Sequence, residues 1–195
     1  MQLMTKKQWF TALGISAAFV FAPAIPRLVP GQAPAQSTVP DTTSTVERVI
    51  DGDTIVVLMN GRDTTIRLIG LDTPETVDPR KPVQCFARAA SDKAKSMLTP
   101  GMTIRLETDP SQGTTDKYGR TLAYVFVPCE NQILTQCKIL FNEYMIAQGY
   151  GHEYTFDLPY KYQVQFKAAE TNAREAKRGL WSPSTCNGDT DQPAK

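Results

Sequence analysis

The sequence has few side chains that bind transition metals and little net charge. The sequence has one histidine, His152, and no Cys-x-x-Cys pair. A zinc site built from histidine and cysteine is therefore not expected. Basic and acidic residues nearly balance, with 21 Lys and Arg against 20 Asp and Glu. An overall excess of positive charge is therefore missing, and a polyanion would need a local basic patch or a metal ion.

The sequence also lacks an internal repeat and a long uninterrupted apolar run. Residues 1–35 carry Lys6 and Lys7 ahead of a short apolar segment that Pro23 and Pro26 interrupt. This pattern is typical of an export signal, and the alternative is an uncleaved membrane anchor. Loss of this segment would remove three basic residues and no acidic ones, lowering the net charge from +1 to about −2. We expect an exported protein, secreted or held at the cell surface.

The composition of the remaining chain predicts three parts. Residues 36–44 are rich in Ser, Thr, Gln and Pro, a composition that buries too little apolar surface to fold, and are interpreted as a flexible linker. Residues 45–186 are predicted to form the folded domain. The polar residues 187–195 are interpreted as a disordered tail.

The four cysteines indicate disulfides, because their number is even and export is expected. Three pairings are possible. Cys129 and Cys137 bracket a short segment between two apolar runs, which favours a local bridge and leaves Cys85 with Cys186. The alternative is four free thiols in a reducing compartment.

Five β-branched runs, separated by turn signals such as Asp-Gly and Asn-Gly, predict five short strands. They read TVERVI, TIVVLM, TTIRLIG, MTIRLET and TLAYVFV. Helical spacing of apolar residues follows in CFARAASDKAKSML, in FNEYMIAQGY and in the segment that begins at Pro159. We predict an α+β fold, a five-stranded OB-fold β-barrel with three α-helices.

Carboxylates stand where two of these strands meet turns. Asp53 lies in the first turn, and Asp72 and Glu75 follow the third strand on either side of Pro74. A meander can bring these positions to one end of the sheet, where three carboxylates would repel one another without a cation. Oxygen donors suit a hard ion such as Ca²⁺ or Mg²⁺.

Two arginines accompany the carboxylates. Arg67 precedes Asp72 by five residues on what we predict to be the same strand, and Arg120 directly precedes the fifth strand. Guanidinium groups beside a divalent ion form a clamp for phosphate, and a carboxylate such as Glu75 can orient or deprotonate a water. These groups together predict hydrolysis of a phosphodiester.

The motifs VIDGDT, IRLIGLDTPET, DKYGR, NEYMIAQGY and GLWS, in this order and spacing, resemble the staphylococcal nuclease family. The resemblance extends from Thr45 to Ser182. It implies an OB-fold barrel and a Ca²⁺-dependent nuclease that acts on DNA and RNA. It also implies cleavage of the 5′ P–O bond, which leaves 3′-phosphate ends.

The resemblance assigns roles to individual residues. Asp53 and Asp72 would bind Ca²⁺ through side chains and Thr73 through its carbonyl. Glu75 would act as the base, and Arg67 and Arg120 would hold the scissile phosphate. The remaining assignments are nucleotide contacts through Lys117 and Tyr118, Tyr154 as the candidate second active-site tyrosine, and Asp51 as an acidic neighbour of the ion.

Two further functions fit the same residues less well. A nucleic-acid-binding module of the same fold would not need the acidic and arginine positions, all of which are present. A structural domain would bind Ca²⁺ only for stability. The enzyme is expected to act as a monomer on nucleic acid without a stable protein partner, with membrane contact only through its N-terminal segment.

Overall fold

A computed structural model describes residues 42–76, 82–129 and 138–192. The strands are β1 (Thr42–Asp51), β2 (Thr54–Met59), β3 (Arg62–Leu68), β4 (Leu71–Asp72), β5 (Thr103–Glu107), β6 (Thr121–Pro128), β7 (Lys138–Leu140) and β8 (His152–Glu153). The helices are α1 (Ala87–Met97), α2 (Phe141–Ala147), α3 (Gln163–Glu175) and a 3₁₀ turn over Gly179–Trp181.

Five strands form a closed barrel. Antiparallel neighbours follow the order β3-β2-β1-β5-β6, and parallel pairing of β3 with β6, which matches Ile66 with Thr121, closes the ring. β7 extends β6 at one edge, and β4 and β8 form a separate two-stranded sheet. The predicted α+β class, with a five-stranded OB-fold barrel and three helices, is confirmed.

Turn chemistry fixes the register of the first meander. Asn60 and Gly61 link β2 to β3 with φ values of 52° and 74°, the left-handed conformation that a tight hairpin requires and that Asn-Gly favours. The turn before β2 is closed by the pairing of Asp51 with Thr54. Because both turns are short, the end of β1, the start of β2 and the end of β3 lie together at one end of the barrel.

The barrel interior continues into an aromatic cluster under α3. Tyr124 of β6 is fully buried and packs edge-on against Tyr162, with ring centroids 4.7 Å apart. Phe166 of α3 and Tyr160 pack against the same ring. This cluster holds α3 and the segment before it against the barrel.

A buried amide joins α2 to the barrel. Asn142 is fully buried; its Oδ1 accepts a hydrogen bond from the Val125 N–H at 2.9 Å and its Nδ2 donates to the Ile69 carbonyl at 2.8 Å. Both main-chain groups lie where β6 and the end of β3 meet. The amide therefore fixes the chain just before β4, which carries Asp72.

The domain is longer than predicted at both ends. β1 begins at Thr42 and pairs with β5 from there, so residues 42–44 belong to the barrel rather than to the linker. Residues 187–192 are not a disordered tail, since the Cys85 N–H donates to the Thr190 and Gln192 carbonyls at 3.2 and 2.8 Å. The predicted signal or anchor, residues 36–41 of the linker and residues 193–195 lie outside the described residues.

A disulfide joins Cys85 to Cys186. On a chain-entropy argument, closing a loop of this length stabilises a fold by roughly 4–5 kcal/mol. Cys129 also forms a disulfide, and Cys137, its predicted partner, lies outside the described residues. None of the helices within the described residues has the length and apolar character that crossing a membrane requires.

Asp109 connects the barrel to the segment that precedes α3. Its carboxylate, only 4% exposed, accepts hydrogen bonds from the Tyr124 hydroxyl at 2.7 Å, the Lys161 N–H at 2.8 Å and the Ser111 hydroxyl at 2.8 Å. Burial alone would raise the pKa of Asp109, but these hydrogen bonds outweigh burial and lower it.

Replacing Asp109 with asparagine is expected to lower the free energy of unfolding by about 1–3 kcal/mol. The stability from this carboxylate is present above its ordinary pKa of 3.8 and is lost as the pH falls through its lower folded-state pKa. Urea unfolding at pH 7 and at pH 3 measures both effects. An asparagine variant with unchanged stability at pH 7 would contradict this role.

Candidate active site

The turn between β1 and β2 lies beside the end of β3. Thr54 pairs with Arg67 across β2 and β3, and the Leu68 N–H donates to the Asp53 carbonyl at 3.0 Å. Asp53 is 8% exposed. The strand register therefore places a buried carboxylate directly beside the Arg67 guanidinium.

The same turn contacts the segment that follows β4. Asp53 Oδ2 accepts hydrogen bonds from the Thr73 N–H at 3.0 Å and from the Thr73 hydroxyl at 3.2 Å. A Cβ at Gly52 would lie 2.7 Å from that hydroxyl oxygen, so the approach requires glycine at this position. The close contact fixes the segment from Asp72 to Thr76 against the barrel end.

Arg67 bridges two of the predicted site carboxylates. Its Nη2 lies 3.3 Å from Asp53 Oδ2 and 3.0 Å from Asp72 Oδ1, and its Nη1 donates to the Leu68 and Leu71 carbonyls. The prediction that Arg67 and Asp72 share a strand is wrong. β3 ends at Leu68 and Asp72 lies in β4. The chain changes direction between these strands, and the Asp72 carboxylate faces the Arg67 guanidinium.

Arg120 joins this group from the start of β6. Its guanidinium is held by Asp116 at 2.6 and 2.7 Å, and its Nη1 donates to the Thr54 hydroxyl at 3.3 Å. That hydroxyl donates in turn to Asp53 Oδ1 at 2.8 Å. Polar contacts thus run without a break from Arg120 through Thr54 and Asp53 to Arg67 and on to Asp72.

The electrostatics of the site show crowding of negative charge. The pKa of Asp72 is raised by partial desolvation of its half-exposed carboxyl and by the neighbouring Asp53 and Glu75 carboxylates, and Arg67 opposes this shift. Burial also raises the pKa of Asp51 to about 6, against hydrogen bonds from the Gly52 and Thr76 N–H groups. Negative charge is therefore concentrated at this end of the barrel, with Arg67 as the group that opposes it at Asp72.

The predicted three-carboxylate metal site is not formed as such. Across residues 42–76, 82–129 and 138–192, no three His, Cys, Asp or Glu side chains group in a way that could hold a metal ion. Arg67 takes the space between Asp53 and Asp72. The oxygen donors at this point are therefore the Asp53 and Asp72 carboxylates, with Arg67 paired to both.

The main chain around Glu75 is held on both sides. The Glu75 N–H donates to Gln84 Oε1 at 2.7 Å, and the Thr76 N–H donates to Asp51 Oδ2 at 3.2 Å. Glu75 is half-buried, and its charge acts on the pKa of Asp72. The predicted base therefore lies within electrostatic reach of Asp72.

A pocket of about 420 Å³ opens beside the two arginines. Its walls are formed by Arg67, Leu68, Ile69, Gly70, Asp72, Gln112, Thr115, Asp116, Lys117, Tyr118, Arg120, Leu122, Tyr154 and Phe156. The Tyr118 ring is 72% exposed, with Lys117 Nζ 5.0 Å and Arg120 Cζ 5.3 Å from its centroid. Lys117, Tyr118 and Tyr154, all named from the sequence, therefore share one pocket.

Four residues of this region were not predicted from the sequence. Thr54 relays between Arg120 and Asp53, Asp116 holds Arg120, Gln84 holds Glu75 and Phe156 lines the pocket. Thr54 and Asp116 lie inside motifs quoted above, so these motifs could have indicated them as site residues. Gln84 and Phe156 lie outside the motifs quoted above, so no motif indicated them.

Comparison with known proteins agrees with this geometry. A family model described as staphylococcal nuclease homologue matches residues 65–183. The chain is 39% identical to a thermonuclease of Staphylococcus hyicus, over 78% of this chain and 83% of that protein. It is 40% identical to a thermonuclease of Staphylococcus intermedius, over 70% and 74%, and 36% identical to endonuclease YncB of Bacillus subtilis, over 72% and 62%. The chain belongs to the staphylococcal nuclease family.

Proposed function

We propose that this protein is a calcium-dependent nuclease that hydrolyses phosphodiester bonds in DNA and RNA. The observation that carries the proposal is the unbroken polar chain from Arg120 to Asp72, which opens onto a pocket with an exposed tyrosine. The names of the relatives, two thermonucleases and an endonuclease, support the same reaction class.

Calcium fits the donors available at this point. Asp53 and Asp72 supply carboxylate oxygens and Thr73 a carbonyl oxygen, and Ca²⁺ accepts such hard donors together with waters. When bound, the ion would neutralise charge that develops on the phosphoryl oxygens and polarise the phosphate. The raised pKa of Asp72 fits a site whose carboxylates are relieved by a cation.

Arg67 and Arg120 would hold the scissile phosphate from two sides. Asp116 and Thr54 already orient the Arg120 guanidinium, so little reorganisation is needed when negative charge grows on the phosphate. The Arg67 head group lies at the junction of Asp53 and Asp72. In the loaded enzyme it would exchange part of this pairing for the phosphate.

Glu75 would accept a proton from the attacking water or orient that water toward phosphorus. Attack breaks the bond between phosphorus and the 5′ oxygen, so the products are a 3′-phosphate end and a 5′-hydroxyl end. The Glu75 main chain is fixed by Gln84. Because the position of the base is already fixed, less entropy is lost in orienting it when the water attacks.

The pocket would receive the nucleoside next to the scissile phosphate. Tyr118 and Tyr154 offer ring faces for a base or sugar, and Lys117 offers a cation for a terminal phosphate. Contacts of this kind do not read base sequence, so broad action on single strands follows. We expect a monomeric enzyme, and the disulfides fit an exported protein.

Digestion of single-stranded DNA and RNA oligonucleotides tests the proposal. The purified protein should cut both at millimolar calcium and stop when EGTA is added. The 3′ ends that it leaves should resist ligation to a 5′-phosphorylated oligonucleotide until a phosphatase removes their 3′-phosphate groups. Retardation of the oligonucleotide without cutting would instead indicate a binding module. A protein that neither cuts nor retards the oligonucleotide would be only a structural domain. Either of these two outcomes would contradict the proposal.

A further inference from the structure

Gln84 pairs with Glu75 through both its main chain and its side chain. Its Oε1 accepts from the Glu75 N–H at 2.7 Å, and its own N–H donates to the Glu75 carbonyl at 3.2 Å. Both main-chain polar groups of the proposed base are therefore bonded to one residue. That residue lies nine positions later in the chain and directly precedes Cys85.

The other end of the Gln84 amide is tied to the C-terminal segment, residues 182–192. Gln84 Nε2 donates to Asp191 Oδ1 at 3.0 Å. Next to it, the Cys85 N–H donates to two carbonyls of the same segment, and the Cys85–Cys186 disulfide joins the two covalently. The segment is itself folded, since the Gly188 N–H donates to the Leu180 carbonyl at 2.9 Å.

The two contacts fix which way the Gln84 amide points. A flipped amide would set its NH₂ group against the Glu75 N–H and its oxygen against the Asp191 carboxylate. Both contacts would then be repulsive, because donors would face donors and acceptors would face acceptors. The amide therefore has one favourable orientation, with its oxygen toward Glu75.

We propose that Gln84 is a positioning residue that keeps the Glu75 carboxylate in a fixed position relative to Asp72. It does so by joining the Glu75 main chain to the C-terminal segment, which the disulfide holds; this connection is called the brace below. The inference rests on the proposed function, in which Glu75 acts on the attacking water. Arg67, Arg120 and the pocket lie on other segments, so this brace bears on the chemical step rather than on substrate binding.

Gln84→Ala tests the brace, with Gln165→Ala as its matched control. Gln165 also donates from a side-chain amide to a carboxylate, that of Glu143, but it does so on α3 away from the site. Gln84→Ala should lower kcat about 10–100-fold, with KM within about twofold of wild type. It should also speed hydrogen exchange of the Glu75 amide. Gln165→Ala should leave both unchanged and show a similar shift in Tm.

A donor–acceptor swap provides the rescue. Gln84→Glu keeps an oxygen for the Glu75 N–H but places a carboxylate against Asp191, so kcat should fall. Adding Asp191→Asn supplies an N–H donor for the second oxygen of the introduced carboxylate, the one that faces position 191. The double variant should recover kcat to within about threefold of wild type, because it restores the contact with donor and acceptor exchanged.

The outcomes separate the two claims. A wild-type protein that fails to cut nucleic acid overturns the proposed function and this inference with it. An active wild type with a Gln84→Ala variant that keeps kcat within about threefold overturns the positioning role alone. A loss of kcat that merely follows a loss of folded protein, or a swap that gives no recovery, overturns it as well.

Discussion

Replacing Arg120 with alanine is expected to lower kcat for single-stranded DNA by about a thousandfold or more. The guanidinium is held by Asp116 and by Thr54, and in the proposed reaction it stabilises charge that appears only as phosphorus is attacked. Its loss should therefore reduce kcat and kcat/KM together, while the barrel stays intact. Initial rates at saturating calcium, with circular dichroism of the same samples, measure this.

One further variant separates charge from geometry at this position. Arg120→Lys keeps the charge but loses the planar fork that binds two oxygens and pairs with Asp116, so it should recover little of the lost rate. Arg174→Ala is the control, because Arg174 stacks on Trp181 at 4.2 Å and pairs with Glu170 on α3. An Arg120→Ala enzyme within about tenfold of wild type would show that Arg120 does not hold the reacting phosphate.

Replacing Glu75 with glutamine is expected to lower kcat by about 10²–10⁴-fold with little change in KM. The substitution removes the carboxylate but keeps its size, and the hydrogen bond to Gln84 uses the Glu75 main chain, so the brace survives. Oligonucleotide binding to this variant, followed by fluorescence anisotropy, should match wild type. Wild-type turnover in Glu75→Gln would refute the assignment of Glu75 as the base.

The barrel could be predicted because its signals are local. Five β-branched runs and the two hairpin turns specify the meander, and each run appears as a strand. β4 and β8 could not be found, since each has two residues and depends on pairing Leu71 with Glu153 and Asp72 with His152. Strands of that length have no periodicity to detect.

Where tertiary contacts replace local preference, the prediction fails at the boundaries. α3 begins at Gln163 rather than at Pro159, because Tyr160 is used for core packing and the Lys161 N–H donates to Asp109. The end of the chain looks disordered by composition. It is nevertheless folded as far as residue 192, because a disulfide and the Gln84–Asp191 contact hold it.

The site could be predicted in its residue types but not in its arrangement. The motifs name Asp53, Arg67 and Asp72, and the structure brings them into contact. That Arg67 lies between the two carboxylates depends on the turn after β3, which no spacing rule specifies. The Thr54 relay depends likewise on the pairing of β2 with β3.

The most direct test of the account is a crystal structure with calcium and a slowly cleaved phosphorothioate dinucleotide. The account predicts the ion about 2.3–2.6 Å from oxygens of Asp53 and Asp72. It also predicts phosphate oxygens about 2.7–2.9 Å from the Arg67 and Arg120 guanidinium groups. Calcium or phosphate bound elsewhere, with Arg67 still bridging the two carboxylates at saturating calcium, would contradict it.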